Sequence, residues 1–303
     1  MEVNGSNVEH IPVLARTLIE QINLPPDGVM VDATIGQGGH SLLFGKTLGP
    51  DGVIIALDVD EKAIRGAQFR LKDLGCKVLY INGNFSEIGG LVRAQGIAEV
   101  DFILADLGVC SSQLADAEIG LSFQVSMPLD MRIDKRLKRT AADIINKSDG
   151  NFLADLIYRY GQERGSRRIS RFIIRERESR PITTTGQLAS IVCRALGQPG
   201  RKRRSRIHPA TRTFQALRIA VNNELENLEK MLVSAYSLLA KKGRIAVISF
   251  HSLEDRMVKN NFKANEKEGI YRIITKKPIV PSQEEIAENQ RSRSAKLRIA
   301  EKI

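Results

Sequence analysis

Glycines and carboxylates follow apolar, strand-like segments in the amino-terminal part of the chain. Gly36, Gly38 and Gly39 come after the segment VMVDAT, and glycine lets a backbone approach a ligand closely. Asp58 closes a second apolar segment, where a carboxylate can accept hydrogen bonds from ribose hydroxyls, and Asp106 closes a later one. Because the carboxyl ends of parallel strands meet at one edge of a sheet, these groups predict a site for a cofactor that contains a nucleoside.

Two common phosphate-binding motifs do not fit this glycine turn. The dinucleotide fingerprint G-x-G-x-x-G needs a glycine at position 41, where the chain has Ser41. The Walker pattern fails as well, because no Gly-Lys-Ser/Thr follows the turn. A nicotinamide-dependent oxidoreductase that uses the same crevice stays an alternative, and the missing third glycine argues against it.

The elements that must position these groups alternate between strand and helix. Continuous apolar strands separated by helical spacing predict a parallel sheet covered on both faces. Right-handed crossovers then give a doubly wound α/β fold. The predicted strands are residues 29–34, 52–58, 77–81, 100–107, 244–250, 271–275 and 295–300.

The middle of the chain interrupts this alternation. From about residue 132 to 200 the spacing is helical and no strand pattern occurs, a basic loop QPGRKRRSR follows, and one long helix is predicted over 211–240. The simplest interpretation is two domains: an α/β domain made of residues 1–112 and 213–303, and a helical domain at 113–212 inserted after its fourth strand.

The positive charge lies in the same middle region. The net charge is +11, and residues 132–218 hold 22 basic and 7 acidic side chains, against 24 and 28 in the rest of the chain. Such segregation predicts a module that faces a polyanion, and nucleic acid is favoured over a merely solvated arginine-rich surface.

Composition excludes several classes of protein. Apolar residues make up 42% and charged residues 27% of 303 residues, which is ordinary for a globular protein. The longest apolar runs have strand length, and the first residues lack the basic and apolar regions of a secretory signal. Three cysteines without a CxxC pair and four histidines predict neither a disulfide framework nor a metal site, so a reducing cytoplasm is expected.

A series of long motifs runs in order from about residue 9 to 302: EHIPVL, DATIGQGGHS, LDVD, NF, DLGVCSSQL, LSF, PLDMRID, HPATRTFQALRIAVNNEL, GRIAVISFHSLEDRMVK and RSRSAKLRIAEK. This series resembles the bacterial 16S ribosomal RNA cytosine-N4 methyltransferases. The resemblance implies a class I S-adenosylmethionine-dependent methyltransferase fold, Rossmann-like with a mostly parallel seven-stranded sheet. It also implies methylation of a cytidine N4 amine in the decoding region of 16S ribosomal RNA within the 30S subunit.

The resemblance assigns cofactor contacts to seven residues. In this family the Asp58 position suits the ribose hydroxyls, Phe85 could pack on the adenine face, and Asp106 could pair with a cationic amino group. A core aromatic is the alternative for Phe85, and a polar residue at a helix start is the alternative for His40. The seven residues are Gly38, Gly39, His40, Asp58, Phe85, Asp106 and Gln113.

The chemistry implied by the resemblance is a direct displacement of a methyl group by a weak nucleophile. The N4 lone pair is delocalised into the cytosine ring, so acceptors placed near the amino hydrogens would help it localise toward the methyl group. Asp106 and the carbonyls of residues 107–109 are the candidates by position, and no strong base is required before attack.

Further residues in the family-like motifs could line a cleft for a flipped-out cytidine. His208 and His251 are either general bases or structural hydrogen-bonding groups at segment junctions. Arginine runs at 164–171, 201–206 and 291–298 should contact phosphates. The candidate substrate residues are Asp130, Arg132, His208, Arg212, Asn222, His251 and Asp255.

The loop after Asp106 departs from the family pattern at four positions. Cys110 stands in place of a serine, Ala115 of an aspartate, Ile119 of an arginine and Leu121 of a phenylalanine. Loss of the Arg and the Asp together suggests a missing salt bridge or a changed RNA contact. A non-catalytic RNA-binding assembly factor is therefore the rival interpretation, and the oligomeric state stays open, with a homodimer as one alternative.

Overall fold

The computed structural model describes residues 12–110, 113–114, 116–197 and 208–303. They divide into two compact units: residues up to Gly108 with Glu226–Ile303, and Val109–Leu225. The second unit begins at residue 109, whereas the predicted insert begins at 113. It ends at 225 instead of 212, because the helix after position 211 packs against the helices of this unit.

Seven strands form the sheet of the first unit, in the order β3-β2-β1-β4-β5-β7-β6. Strands β1 to β5 run parallel to one another, whereas β7 runs antiparallel to both of its neighbours, β5 and β6. This arrangement confirms the predicted mostly parallel, doubly wound sheet. The strands are β1 Val29–Asp32, β2 Val53–Asp58, β3 Lys77–Asn82, β4 Val100–Asp106, β5 Leu239–Ser249, β6 Tyr271–Ile273 and β7 Lys296–Lys302.

The described helices are short to medium in length. None of them is both long and apolar enough to cross a membrane. In chain order they are α1 Ala15–Gln21, α2 Gly39–Gly45, α3 Glu61–Leu71, α4 Ile88–Arg93, α5 Ala141–Lys147, α6 Gly150–Gly161, α7 Ser166–Ser179, α8 Thr185–Ala195, α9 Thr211–Asn222, α10 Glu224–Leu238, α11 Ser252–Lys267 and α12 Gln283–Glu288.

Helices cover both faces of the sheet, as continuous apolar strands require. On one face, Leu18 of α1 and Phe44 of α2 pack against Phe102 of β4. On the other, helices α4, α10 and α11 bury apolar side chains, including Val92 and Phe262, against the odd-numbered residues of β4 and β5. The strand side chains thus alternate between two helix layers, and polar residues occur where the strands end, as at Asp58 and Asp106.

The helical unit has its own core, built from α5 to α9. Its buried side chains include Ile145, Leu153, Ile169 and Leu188, one from each of α5 to α8, together with Leu217 of α9. The first and fourth of these helices begin with capping boxes, in which the Thr140 and Thr184 side chains accept a backbone N–H while the third helical residue reaches back.

The prediction of one helix over 211–240 is wrong. Helix α9 ends at Asn222, and Asn223 adopts the left-handed conformation with φ of 51° before α10 begins at Glu224. Asparagine is among the few residues that adopt this conformation at low cost, so the chain can turn here without a glycine. Strand β5 then begins at Leu239, which removes the last two predicted helical residues.

Candidate active site

Three carboxylates follow adjacent strands at the carboxyl edge of the sheet. Strand β1 lies between β2 and β4, and Asp32 at its end is in register with Ala56 and Leu104. Asp58 and Asp106 lie two residues beyond those two partners, at the ends of β2 and β4. The parallel sheet therefore brings the sequence-predicted Asp58 and Asp106 to the same edge, on either side of β1.

The glycine turn after β1 is set by positive backbone angles and close contacts. Gly36 and Gly38 have φ of 47° and 73°, values that favour glycine. A Cβ at residue 39 would lie 2.7 Å from Cγ of Pro12, so a side chain there would require Pro12 to shift. The turn therefore needs glycine both for its left-handed backbone and for its close packing against Pro12 at the start of α2.

Asp58 is bonded to the glycine turn. Its Oδ2 accepts the N–H of Gly36 at 3.0 Å, and its Oδ1 accepts the N–H of Asp60 at 2.9 Å. Burial raises the pKa of the Asp58 carboxyl from 3.8 to about 6, although both backbone hydrogen bonds favour the ionised form. Each oxygen retains a lone pair, so the ionised group can also accept hydrogen bonds from a ribose.

The buried His40 and the partly buried Asp106 form a polar pair with unused hydrogen-bonding capacity. His40 is 6% exposed, and its Nε2 lies 3.5 Å from Oδ2 of Asp106. Neither ring nitrogen of His40 nor Oδ1 of Asp106 makes a hydrogen bond within the described part of the chain. Because a buried polar atom without a partner is costly, this pair is suited to polar groups supplied by a ligand.

A hydrogen-bond network that the sequence did not predict connects the elements that carry His40 and Asp106. The Ser41 hydroxyl donates to Oδ2 of Asp32 at 2.7 Å, and Oδ1 of Asp32 accepts the N–H of Thr34 at 3.2 Å. The Thr34 hydroxyl in turn accepts the N–H of Asp106 at 2.7 Å. Ser41 stands where the dinucleotide fingerprint would have its third glycine. This replacement is the one feature of the sequence that could have indicated the hydrogen bond to Asp32.

The Asp32 carboxyl is 2% exposed. Burial raises its pKa, while the hydrogen bond from Ser41 and the proximity of His40 act in the opposite direction. The hydrogen bond from Ser41 to Asp32 joins α2 to β1. Asp32 therefore helps to position His40, which is also on α2.

Phe85 begins a 3₁₀ turn, Phe85–Glu87, three residues after β3. The Asn84 side chain accepts the N–H of Ser86 and so fixes the start of this turn. The Phe85 ring is partly buried and packs against the sheet core on the face covered by α4. Its contact with the core is therefore observed, and its partly exposed remainder leaves room for the predicted adenine contact.

His251 and Asp255 belong to the start of α11, after β5. The His251 Nδ1 accepts the N–H of Glu254 at 3.3 Å, and Oε2 of Glu254 accepts the N–H of Phe250 at 2.9 Å. Asp255 pairs with Arg298 at 2.7 Å and with Lys296 at 3.4 Å. Burial alone would raise the pKa of Asp255, but the hydrogen bond from Arg298 lowers it. His251 thus caps the start of α11, and Asp255 joins α11 to β7.

The remaining candidate residues belong to the helical unit. Gln113 is 5% exposed, and its Oε1 accepts the N–H of Cys110 at 3.1 Å. Asp130 and Arg132 form a two-pronged ion pair with distances of 2.7 and 2.9 Å, and Arg132 also donates to the carbonyl of Leu137. Burial alone would raise the pKa of Asp130, but the hydrogen bonds from Arg132 lower it. These contacts fix the conformation of the loop at residues 130–137.

The Asn222 side chain connects two segments of the helical unit by hydrogen bonds. Its Oδ1 accepts the N–H of Ile133 at 2.9 Å, and its Nδ2 donates to the carbonyls of Met131 and Arg218 at 2.8 and 2.9 Å. The side chain therefore joins the end of α9 to the loop that carries Arg132.

His208 and Arg212 are the more accessible members of the set. His208 is exposed, stacks on Phe123 with ring centroids 4.6 Å apart, and accepts the N–H of Ala210 with Nδ1. Arg212 lies 3.7 Å from Glu163, with its side chain 54% exposed. These two residues can reach a macromolecular partner.

The departures from the family pattern are explained in part by burial. Ile119 and Leu121 are 4% and 8% exposed and belong to the core of the helical unit. An apolar residue at 119 therefore contributes packing rather than an RNA contact. Ala115 lies outside the described residues, and Cys110 is partly buried and is not part of a disulfide.

The three arginine runs differ in accessibility. The run at 201–206 lies outside the described residues. Arg298, in the run at 291–298, is 6% exposed and paired with Asp255, so its expected phosphate contact is wrong. The arginines at 164, 167, 168 and 171 are all exposed.

Comparison with known proteins agrees with the motifs. A profile of the MraW methylase family matches residues 7–303. The chain is 44% identical to ribosomal RNA small subunit methyltransferase H of Clostridioides difficile, over 97% of this chain and 99% of that one. It is 48% identical to the protein of the same name from a Cyanothece species, over 97% of this chain and 95% of the relative.

Proposed function

Because the chain belongs to the MraW methylase family, we propose that it methylates the N4 amine of one cytidine in the decoding region of 16S ribosomal RNA. The coarser activity follows from its relatives: the protein is an S-adenosylmethionine-dependent ribosomal RNA methyltransferase. The observation that carries the finer proposal is the buried Oδ1 of Asp106, which has no hydrogen-bond partner among the described residues and is suited to accept an amino hydrogen.

The residues at the sheet edge fit S-adenosylmethionine. We propose that the backbone of Gly38 and Gly39 approaches the methionine part of the cofactor. The ionised Asp58 suits the ribose hydroxyls, and Phe85 offers an aromatic surface for adenine. The ring nitrogens of His40 and Oδ2 of Asp106 suit the charged amino-acid end of the cofactor, which leaves Oδ1 of Asp106 for the target amine. We propose Gln113 as a further contact. When bound, the cofactor supplies a methyl group on a sulfonium, which is a strong electrophile.

Asp106 acts on the target amine in this proposal. Its carboxylate accepts one amino hydrogen, so the N4 lone pair localises toward the methyl group, assisted by the carbonyls of residues 107–109. The bound cofactor would supply the methyl group to the N4 lone pair and would keep the electron pair of the carbon–sulfur bond, and the surplus N4 proton would pass to solvent water afterwards. The Thr34 hydroxyl, through the Asp106 N–H, holds this end of β4 in position.

We propose the helical unit as the RNA-binding module. The exposed His208 and Arg212 would contact RNA directly, and Asp130, Arg132 and Asn222 would hold their loop. His251 and Asp255 would act as positioning residues at the end of β5. The target cytidine must leave its stack to reach a carboxyl-edge site, because its N4 is not accessible inside a folded helix. The 30S subunit in the cytoplasm is the proposed substrate, and a homodimer stays a prediction.

The reaction is tested with methyl-labelled S-adenosylmethionine and 30S subunits from a strain that lacks the modification. The ribosomal RNA is digested to nucleosides, and the labelled nucleoside is identified by mass spectrometry. We expect label only in N4-methylcytidine. Label in another nucleoside, or none from a preparation that binds the cofactor in calorimetry, contradicts the proposal. Replacement of the exposed Asp51 by asparagine is the control for Asp106→Asn, since it makes the same chemical change away from the site.

A further inference from the structure

One side of α7 (Ser166–Ser179) is occupied by arginines. Its inner side carries Ile169 and Ile173, which are fully buried in the core of the helical unit. Its exposed arginines and one that precedes the helix fall within an arc of about 100° when each residue turns the helix by about 100°. We call this surface the α7 arginine face, and it consists of Arg164, Arg167, Arg168, Arg171 and Arg175.

These side chains lack acidic partners among the residues that the structure describes. Their neighbours differ in this respect, since Arg194 pairs with Glu176 at 2.6 Å and Arg177 donates to the carbonyl of Ile145 at 2.6 Å. Glu178, in the last turn of α7, is the one acidic residue in the same arc. The face is therefore strongly positive.

The arrangement costs helix stability. Like charges four residues apart, as in Arg167, Arg171 and Arg175, destabilise a helix by about 0.2–0.5 kcal/mol per pair. The first turn holds two arginines and no acidic residue, which also opposes the helix dipole. A helix that only had to be solvated would mix both signs of charge, so the surface is better explained by a polyanionic partner.

The spacing fits a nucleic-acid backbone. Each four-residue step along α7 advances about 6 Å, so Arg167, Arg171 and Arg175 form a row about 12 Å long. The planar guanidinium presents paired donors that match phosphate oxygens. A row of such groups can follow neighbouring phosphates of one strand without reading its bases.

We infer that the α7 arginine face binds the phosphate backbone of the small-subunit ribosomal RNA and thereby orients the substrate on the helical unit. This inference rests on the proposed function and adds a contact surface to it. It predicts an electrostatic contribution to RNA affinity that is independent of sequence and sensitive to salt.

The test is a salt titration of binding to unmodified 30S subunits and to protein-free 16S ribosomal RNA. The variant combines Arg167→Gln, Arg171→Gln and Arg175→Gln. The matched control, Lys241→Gln with Lys263→Gln and Lys267→Gln, removes the same charge from exposed positions of the α/β unit. A third variant with lysine at the three arginine positions keeps the charge.

At about 0.7 per phosphate contact, the logarithmic salt slope of the glutamine variant should be shallower by about 2. Between 50 and 200 mM salt the wild-type protein should then lose about 18-fold more affinity than the variant. The control and the lysine variant should keep the wild-type slope. Cofactor affinity should be unchanged in all of them. The glutamine variant should melt no lower than the wild-type protein, because it removes two like-charge pairs from α7.

A wild-type slope in the glutamine variant overturns the inference, and it leaves the proposed function standing if the wild-type protein still labels N4-methylcytidine. A defect with 30S subunits that is absent with protein-free RNA also overturns it, because the partner is then a ribosomal protein. Failure of the wild-type protein to bind or label either RNA refutes the proposed function itself, whatever the variant does.

Discussion

Replacing Asp58 by asparagine tests the cofactor site through its dependence on pH. The carboxyl accepts the N–H groups of Gly36 and Asp60 and has its pKa raised to about 6 by burial. Only the ionised carboxylate can accept ribose hydroxyls with both oxygens. Cofactor affinity should therefore rise as the pH increases through about 6.

The size of the effect follows from this pKa. At pH 5 about ten in eleven Asp58 carboxyls are protonated, whereas at pH 7 about one in eleven is. The apparent dissociation constant of the wild-type protein should therefore be about tenfold higher at pH 5 than at pH 7. The asparagine variant loses hydrogen bonds to a charged acceptor, worth about 1.5–3 kcal/mol, so its affinity at pH 7 should fall about 10- to 100-fold.

The stability of the cofactor-free protein should change in the opposite sense. Since the folded-state pKa of Asp58 lies above 3.8, its contribution to stability is present below 3.8 and is lost as the pH rises through about 6. The free energy of unfolding of the wild-type protein should thus fall, relative to the variant, over this interval.

Isothermal titration calorimetry with S-adenosylmethionine from pH 5 to 7 measures the first effect. The variant should show a weaker pH dependence, and it corrects for the contribution of all groups other than Asp58. Asp51→Asn should behave as the wild-type protein. Equal affinity of wild-type and Asp58→Asn proteins at all these pH values would refute the role given to Asp58.

Three further changes have defined outcomes. Asp106→Asn should lower the rate of methyl transfer about 10²-fold in single-turnover assays with saturating cofactor, and full turnover with unchanged cofactor affinity would remove Asp106 from the reaction. Thr34→Val should lower kcat about tenfold by leaving the Asp106 N–H without its acceptor, and Thr34→Ser should restore it; wild-type kcat in the valine variant argues against positioning by this hydroxyl. Asn222→Ala should reduce the free energy of unfolding by about 3 kcal/mol in urea titrations, because three hydrogen bonds are lost; a loss below about 1 kcal/mol contradicts its structural role.

The sheet was predictable because its strands are short, continuous apolar runs, such as VIIALD of β2, bounded by turn residues. The positions of Asp58 and Asp106 followed from where those runs end. The division of α9 from α10 was not predictable, since the apolar spacing continues through Asn223 and only its left-handed backbone ends the first helix.

Side-chain partners were the part that spacing alone could not supply. Asp255 belongs to a family-like motif, yet its partner Arg298 is 43 residues away on β7. The link from Thr34 to Asp106 spans 72 residues and depends on β1 and β4 being neighbours in the sheet. Such pairs require the strand order, which periodicity does not contain.

The central claim is the modification of one cytidine in the decoding region, and mapping the methylated position tests it most directly. Unmodified 30S subunits are incubated with the protein and S-adenosylmethionine, and 16S ribosomal RNA fragments are sequenced by tandem mass spectrometry. The account predicts one decoding-region fragment that is heavier by a single methyl group located on a cytidine N4. Methylation at a ring carbon, at a ribose, or in a fragment outside the decoding region would contradict it.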